Sequence, residues 1–165
     1  MKVINQTFIL ICALIIGGCA ATGDVMVLTN EKADGDKHIA LQAPALPWVL
    51  EIQKRLIDRG FKVERWASTR VVTQQTSSTT SEQFNEANAR YVAIIEGAAP
   101  LDWTRRCFGG GYDFSYISVD VVDTKFNQTL LNVNGSGYSE GCAPSSGTIF
   151  GDITDAIDSL WLTDN

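Results

Sequence analysis

Tyr91-Val92-Ala93-Ile94-Ile95-Glu96-Gly97 holds no charged residue until its last two positions. An uninterrupted apolar run of this length predicts a strand covered on both faces, near the middle of a sheet. Two longer stretches follow it. Tyr112 to Asp123 sets Ile117, Val119 and Val121 on one face, and Gln128 to Tyr138 does the same with Leu131 and Val133. The link Thr124-Lys125-Phe126-Asn127 between them predicts an antiparallel hairpin.

Upstream, Phe61-Lys62-Val63-Glu64-Arg65-Trp66 alternates apolar and charged residues, the pattern of a half-buried strand. Before it, Val49, Ile52, Leu56 and Ile57 follow helical spacing between Trp48 and Arg59. Pro44 and Pro47 mark the start of that helix, and Gly60 fits the position just past its end, with Phe61 packing back. Gly23 to Thr29 reads as a first strand and Asn30 to Lys37 as a charged loop. Residues 68 to 81 hold nine Ser or Thr and predict a solvated loop. A short helix is expected next, because Thr80 and Gln83 make a capping box and Phe84 and Ala87 a small apolar stripe.

The last segment, Thr148 to Leu162, places Ile149, Ile153, Ala156, Ile157 and Leu160 on one stripe of a helix. Asp152, Asp155 and Asp158 fall on the other, predicted to face water and to complement the positive end of the helix. The expected order is β-α-β-α-β-β-β-α, an α/β fold in which helices pack on a single mixed sheet.

The chain has 165 residues, 13 Lys plus Arg against 19 Asp plus Glu, and a formal net charge of −6. One domain is the default at this length, and it buries roughly 68–70% of its unfolded surface. The charge has the wrong sign for nucleic acid, whose phosphates need clustered Lys and Arg. No nucleic-acid partner is expected.

The chain begins Met-Lys, runs apolar from Phe8 to Ile16, and continues Gly17-Gly18-Cys19-Ala20-Ala21. A basic start followed by a short apolar stretch ending in small residues is a secretory signal. It is too short to span a bilayer, which takes about 20 apolar residues. Ile16-Gly17-Gly18-Cys19 resembles the bacterial lipobox, with Ile16 where Leu is usual. That resemblance implies a signal peptide over 1–18, lipidation at Cys19 with a short tether over 19–23, and a periplasmic α/β domain over 24–165. Each buried methylene contributes about 0.8 kcal/mol, and two or more acyl chains hold firmly where one does not. Ala20, rather than Asp, after the Cys points to the outer membrane, facing the periplasm. Ordinary signal cleavage a few residues further on is the alternative.

On that assignment Cys12 leaves with the signal and Cys19 carries lipid, so Cys107 and Cys142 remain in an oxidising compartment. Counting outward from the hairpin turn brings the two to its open end on opposite strands. A structural disulfide is the economical reading, with two free buried thiols as the alternative. Zinc would need more ligands than these and the lone His38 offer, unless carboxylates joined them. No metal and no cofactor are expected.

Several local strings resemble a recurrent bacterial envelope domain. R-L-I-D-R-G-F-K-V, A-N-A-R-Y-V-A-I-I-E-G, S-V-D-V-V-D-T and N-Q-T-L-L-N-V are similar to the domain at the N-terminus of TolB and in LpoB and CsgG, with matching positions at Ala89 to Gly97 and Val121 to Asp123. Arg90 stands where that pattern has Asp, the turn lacks its usual Gly, and the Cys pair with Gly109-Gly110-Gly111 is an addition. The resemblance covers roughly residues 24 to 162 and implies the fold alone.

Candidate chemistry is sparse. His38 lies in the predicted charged loop, and no Ser sits in a G-x-S-x-G elbow to partner it. The triple glycine lacks a P-loop Lys and leads into a strand, so turn flexibility beside the cysteines is the preferred account. Glu96 with Asp102, or Asp120 with Asp123, are formal carboxylate pairs for glycoside hydrolysis. Trp103, Arg105, Arg106 and Phe108 form the strongest partner-binding candidate, since Arg and aromatic residues are enriched at interface hot spots. No catalytic residue is expected. The leading expectation is an outer-membrane lipoprotein that binds another envelope protein or its own copies. A periplasmic hydrolase using acidic residues and a surface lipoprotein with a steric or exclusion role are the alternatives.

Overall fold

The computed structural model describes residues 22–29, 31–66, 72–75, 81–84, 89–102, 106–107, 109–143 and 146–161. Cys19, Trp103, Arg105 and Phe108 lie outside the described residues, as does Ala87 of the expected short helix. In chain order the elements are β1 (Thr22–Val27), β2 (His38–Gln42), α1 (Pro47–Asp58), β3 (Lys62–Arg65), β4 (Val72–Gln75), β5 (Ser81–Phe84), β6 (Tyr91–Ala98), β7 (Asp113–Asp123), β8 (Gln128–Tyr138) and α2 (Ile149–Ser159). Six strands form one mixed sheet in the order β1-β8-β7-β6-β2-β3. β2 runs parallel to β3 and β6, and the remaining pairs are antiparallel.

The α/β architecture stands, with three corrections to the expected order. β2 follows directly on the predicted loop, where no element was expected. Its core, Ile39-Ala40-Leu41, is too short to display a period, yet all three residues are buried because parallel neighbours flank it. Val72–Gln75 lies in the predicted Ser/Thr-rich loop but forms a strand, and Ser81–Phe84 pairs with it antiparallel where a capping box predicted a helix. β-branched Thr and Val suit a strand as well as a loop, so the cross-strand partner decides.

α1 begins at Pro47, whose missing N–H is one the first helical turn leaves unbonded anyway. It ends where Gly60 takes φ +85° and the Phe61 N–H returns to the Leu56 carbonyl at 3.1 Å, as predicted for a glycine-closed helix. The face it buries is Trp48, Val49, Ile52 and Leu56; Ile57, expected on that stripe, is half exposed. α2 packs beside α1 and over β8, burying Ile149, Phe150, Ile153, Ala156 and Ile157.

Register assigns the sheet two faces. Ile39 and Leu41, Ala93 and Ile95, Val119 and Val121, and Leu131 and Val133 share the face under the helices. A shift in β7–β8 pairing at Val121/Val122 lets Leu130 be buried beside Leu131. Trp48, Phe114 and Phe150 meet edge to face at 5.4 and 5.8 Å in this core. On the other face, Ala40, Ala89 and Val92 form a small second cluster with Trp66 and Ile94, while Glu96 and Tyr116 are exposed. β6 is therefore covered on both sides only in its first half.

Candidate functional site

The carboxyl ends of β2 and β3 open beside the amino end of α1, a place where parallel strands and a crossover helix leave a crevice. The link from β2 to α1 is Ala43-Pro44-Ala45-Leu46. On one side of it lies a cleft of about 250 Å³, walled by Leu41, Leu46, Val49 and Leu50 and rimmed by Gln53, Glu64 and Arg65. Leu50 is 63% exposed there although it sits on a helix whose neighbours are buried. On the other side, across Ala43 and Pro44, a wider and shallower groove of about 530 Å³ runs over Gln42, Trp66, Ile94, Glu96 and Tyr116. The Trp66 indole Nε1 is buried without a hydrogen-bond partner among the described residues.

The groove contains Glu96, one of the acidic candidates, but not its partner Asp102; neither concavity contains Arg106, Asp120 or Asp123. The signal that could have found the cleft was the Ala43-Pro44-Ala45-Leu46-Pro47 run: a stretch without polar side chains that opens a helix, with an apolar Leu50 off the buried stripe.

Cys107 and Cys142 are joined as a disulfide, with Cα atoms 4.7 Å apart, at the open end of the β7–β8 hairpin. The triple glycine beside it answers both to turn conformation, with φ +113° at Gly109 and +90° at Gly110, and to close approach. A Cβ on Gly111 would lie 2.7 Å from the Cys142 Sγ and 2.6 Å from the Glu140 carbonyl oxygen; one on Gly109 would lie 2.6 Å from the Gly141 carbonyl oxygen. The backbones of 109–111 and 140–143 thus press together as the disulfide requires.

Arg106 is turned inward. Its guanidinium stacks 4.1 Å from the Tyr112 ring centre and donates to the Gly110 carbonyl, and its Nε is buried. Of the four-residue cluster, Arg106 is the described member, and it braces the disulfide loop. Nearby, Glu140 accepts from the backbone N–H groups of Phe150 (3.2 Å) and Gly151 (2.8 Å) and pairs with Arg55 at 3.2 Å. A carboxylate from outside the helix thereby caps the positive end of α2. Nothing in the local sequence announces this role for Glu140.

The other acidic candidates separate. Asp120 pairs across strands with Ile94 and Asn132, on the face away from the helices, and accepts from Asn132 Nδ2 at 2.6 Å. Asp123 is buried and faces the helix side opposite Tyr91. The two carboxylates point to opposite faces of β7 and cannot act on one bond. Glu96 and Asp102 are both exposed. The Asp stripe of α2 is also engaged rather than simply water-facing: Asp155 pairs with Arg59, and Asp158 with Lys37 at 2.6 Å. His38 opens β2 and lies 3.1 Å from Glu64 Oε1, so the solvated-loop expectation for it is corrected. Among the described residues no group of three or more His, Cys, Asp or Glu could hold a metal, and no helix is long and apolar enough to cross a membrane.

Arg90, the departure from the envelope-domain pattern, grips Asp123. Its Nε lies 3.1 and 3.0 Å from the two carboxylate oxygens and Nη2 2.6 Å from one of them, while Nη1 reaches Asp34 at 3.2 Å. These hydrogen bonds hold the Asp123 carboxyl below its usual range despite burial, with help from the Lys125 N–H at 2.9 Å. A group whose folded pKa is depressed contributes stability above its unfolded value, near 3.9, and loses it as pH falls below that. The melting-temperature gap between the parent chain and Asp123→Asn is therefore expected to be full at pH 6 and to shrink between pH 4 and 2. A gap independent of pH would remove Arg90 as the cause.

No protein-family profile matches the chain, and no curated protein matches it. Among solved structures it is similar to the PelC dodecamer from Paraburkholderia phytofirmans. In one crystal form the identity is 16% and the TM-score 0.46, covering 87% of this chain and 100% of that one. For a point variant of PelC in a second crystal form the values are 14% and 0.44, covering 87% and 99%. At that identity and overlap the likeness carries no functional meaning.

Proposed function

We propose that this chain is an outer-membrane-anchored lipoprotein whose periplasmic domain, of the envelope kind that TolB, LpoB and CsgG carry, is a non-catalytic binding or assembly accessory. The observation that supports it best is the cleft at Leu50: apolar-walled, polar only at its rim and, among the described residues, lined by no pair of facing carboxylates. Apolar concavities with a few rim polar groups are what binding sites are made of, whereas hydrolysis of a glycoside needs two carboxyl groups about 5–10 Å apart across a cleft. The lipobox at Ile16-Gly17-Gly18-Cys19 supplies the anchor in this reading.

The test places a photo-crosslinking residue at Leu50 in the full chain in bacterial cells, with the same residue at Asp113, also exposed, as control. A discrete adduct from position 50 and none from 113 is the expected result, and Leu50→Glu should lower that partner's capture at least about tenfold, the 1.5–3 kcal/mol of one buried Leu. Cys19→Ser should move the protein from the membrane to the soluble fraction. Capture unchanged in Leu50→Glu, or membrane retention in Cys19→Ser, would overturn the respective half of the proposal.

A further inference from the structure

The two edges of the six-stranded sheet are unlike. β3 carries charge at three of its four positions, Lys62, Glu64 and Arg65, which is how natural edges are kept from pairing. β1 is unprotected. Val25, Met26, Val27 and the following Leu28 are 48, 60, 57 and 49% exposed, with no charge among them. The Leu28 N–H donates to the Leu130 carbonyl at 3.1 Å. Because antiparallel ladders alternate, Met26 and Asp24 also turn toward β8, and Val25 and Val27 turn their N–H and C=O groups outward.

We infer that β1 is where two copies of this chain join, antiparallel about a two-fold axis through Met26. A bilayer could cover the four side chains but would leave the outward backbone groups of Val25 and Val27 without partners; a strand satisfies both. Pairing β1 with the β3 edge of another copy would set Lys62, Glu64 and Arg65 along an apolar strand, which argues against an open filament and for closed, self-complementary pairing. With Met26 on the axis, Val25 lies opposite Val27 of the second copy on the helix face, and the two Met26 side chains meet on the other. The two Asp24 residues then fall about 13 Å apart, beyond the Debye length of about 8–10 Å at ordinary salt. A chain of net charge −6 meets itself where charge is least.

This deepens the assembly reading but uses an edge separate from the Leu50 cleft, so the two fail separately. The probe is the full chain in detergent, followed by sedimentation and by oxidative crosslinking of single-cysteine additions. The parent is expected to be a dimer. Val27→Pro deletes an outward N–H and spares the β8 ladder, since edge strands tolerate Pro there; it should weaken dimerisation at least tenfold, and Val27→Lys should do the same if the Pro variant misfolds. Met26→Cys should give a disulfide-linked dimer more readily than Asp24→Cys or Leu28→Cys, and Leu50→Glu should leave the dimer intact. A monomeric parent overturns the inference, as do larger oligomers that persist in both Val27 variants and a dimer lost in Leu50→Glu. So does weaker binding of both Val27 variants to phosphatidylethanolamine–phosphatidylglycerol vesicles with sedimentation unchanged, which would make the bilayer the occupant.

Discussion

Replacing Cys107 and Cys142 together by Ala is expected to destabilise the fold by about 4 kcal/mol, the loop-closure entropy of a cross-link of this span, lowering the melting temperature by roughly 8–16 °C. The sequence separation of 35 is what sets the size. The contribution acts on the unfolded chain, so the folded segments should stay together: the Gly111 N–H still reaches the Gly141 carbonyl at 3.1 Å, and Ser139, fully buried, still bonds Tyr112 through both its N–H and its Oγ. Circular dichroism should therefore be nearly unchanged while the urea midpoint falls. Reductant should reproduce the loss in the parent and do nothing to the double variant. Equal midpoints for the parent with and without reductant would show that the hairpin alone holds these ends. Gly111→Ala attacks the same place from the folded side, since its Cβ would press on the disulfide and on two backbone atoms.

What could be read in the sequence, and what could not, follows from how far each signal reaches along the chain. The β7–β8 hairpin, α1 and α2 are written in local periodicity, and most of their buried faces were legible: Ile117, Val119 and Val121 share a face with Leu131 and Val133 as the alternation predicted, whereas Ile57 of α1 is exposed and a bulge buries Leu130. The turn that lacks glycine takes Asn127 at φ 52°, a residue that tolerates that conformation. β2 was not legible because three apolar residues carry no period; only its two parallel neighbours, distant in sequence, make it a strand. The same holds for Glu140. Its part as a cap comes from α2 beginning nine residues later and folding back onto it, a relation no local motif encodes.

The functional candidates divide along that line. The cysteine pair was legible because hairpin arithmetic is local. The Arg and aromatic cluster was identified by composition, which does not say whether a side chain looks outward; Arg106 looks inward, onto Tyr112. The apolar edge of β1 was read as an ordinary first strand, because whether a strand is central or at an edge depends on sheet order, and β1 becomes an edge only by pairing β8. Exposure of Val25 to Leu28 is a property of that order, not of the residues.

Trp48→Ala is expected to cost about 3–5 kcal/mol, a large share of the 5–15 kcal/mol that holds a typical domain together. Trp48 is fully buried in the second position of α1, its ring edge-on to Phe114 of β7 at 5.4 Å, and it joins the helix to the sheet. Gly97 of β6 makes room for it: a Cβ there would lie 3.3 Å from the indole Cη2. The indole Nε1 is buried with no partner among the described residues. That orphan separates two explanations of the same loss. If packing is what Trp48 contributes, Trp48→Phe should be far milder than Trp48→Ala, because the cavity it opens is offset by removing an unsatisfied donor, terms of about 1–3 kcal/mol each. Urea midpoints for the two variants decide it. A Phe variant as unstable as the Ala variant would mean that the indole N–H is bonded in solution and that the polar atom, rather than the ring, anchors α1 to the sheet.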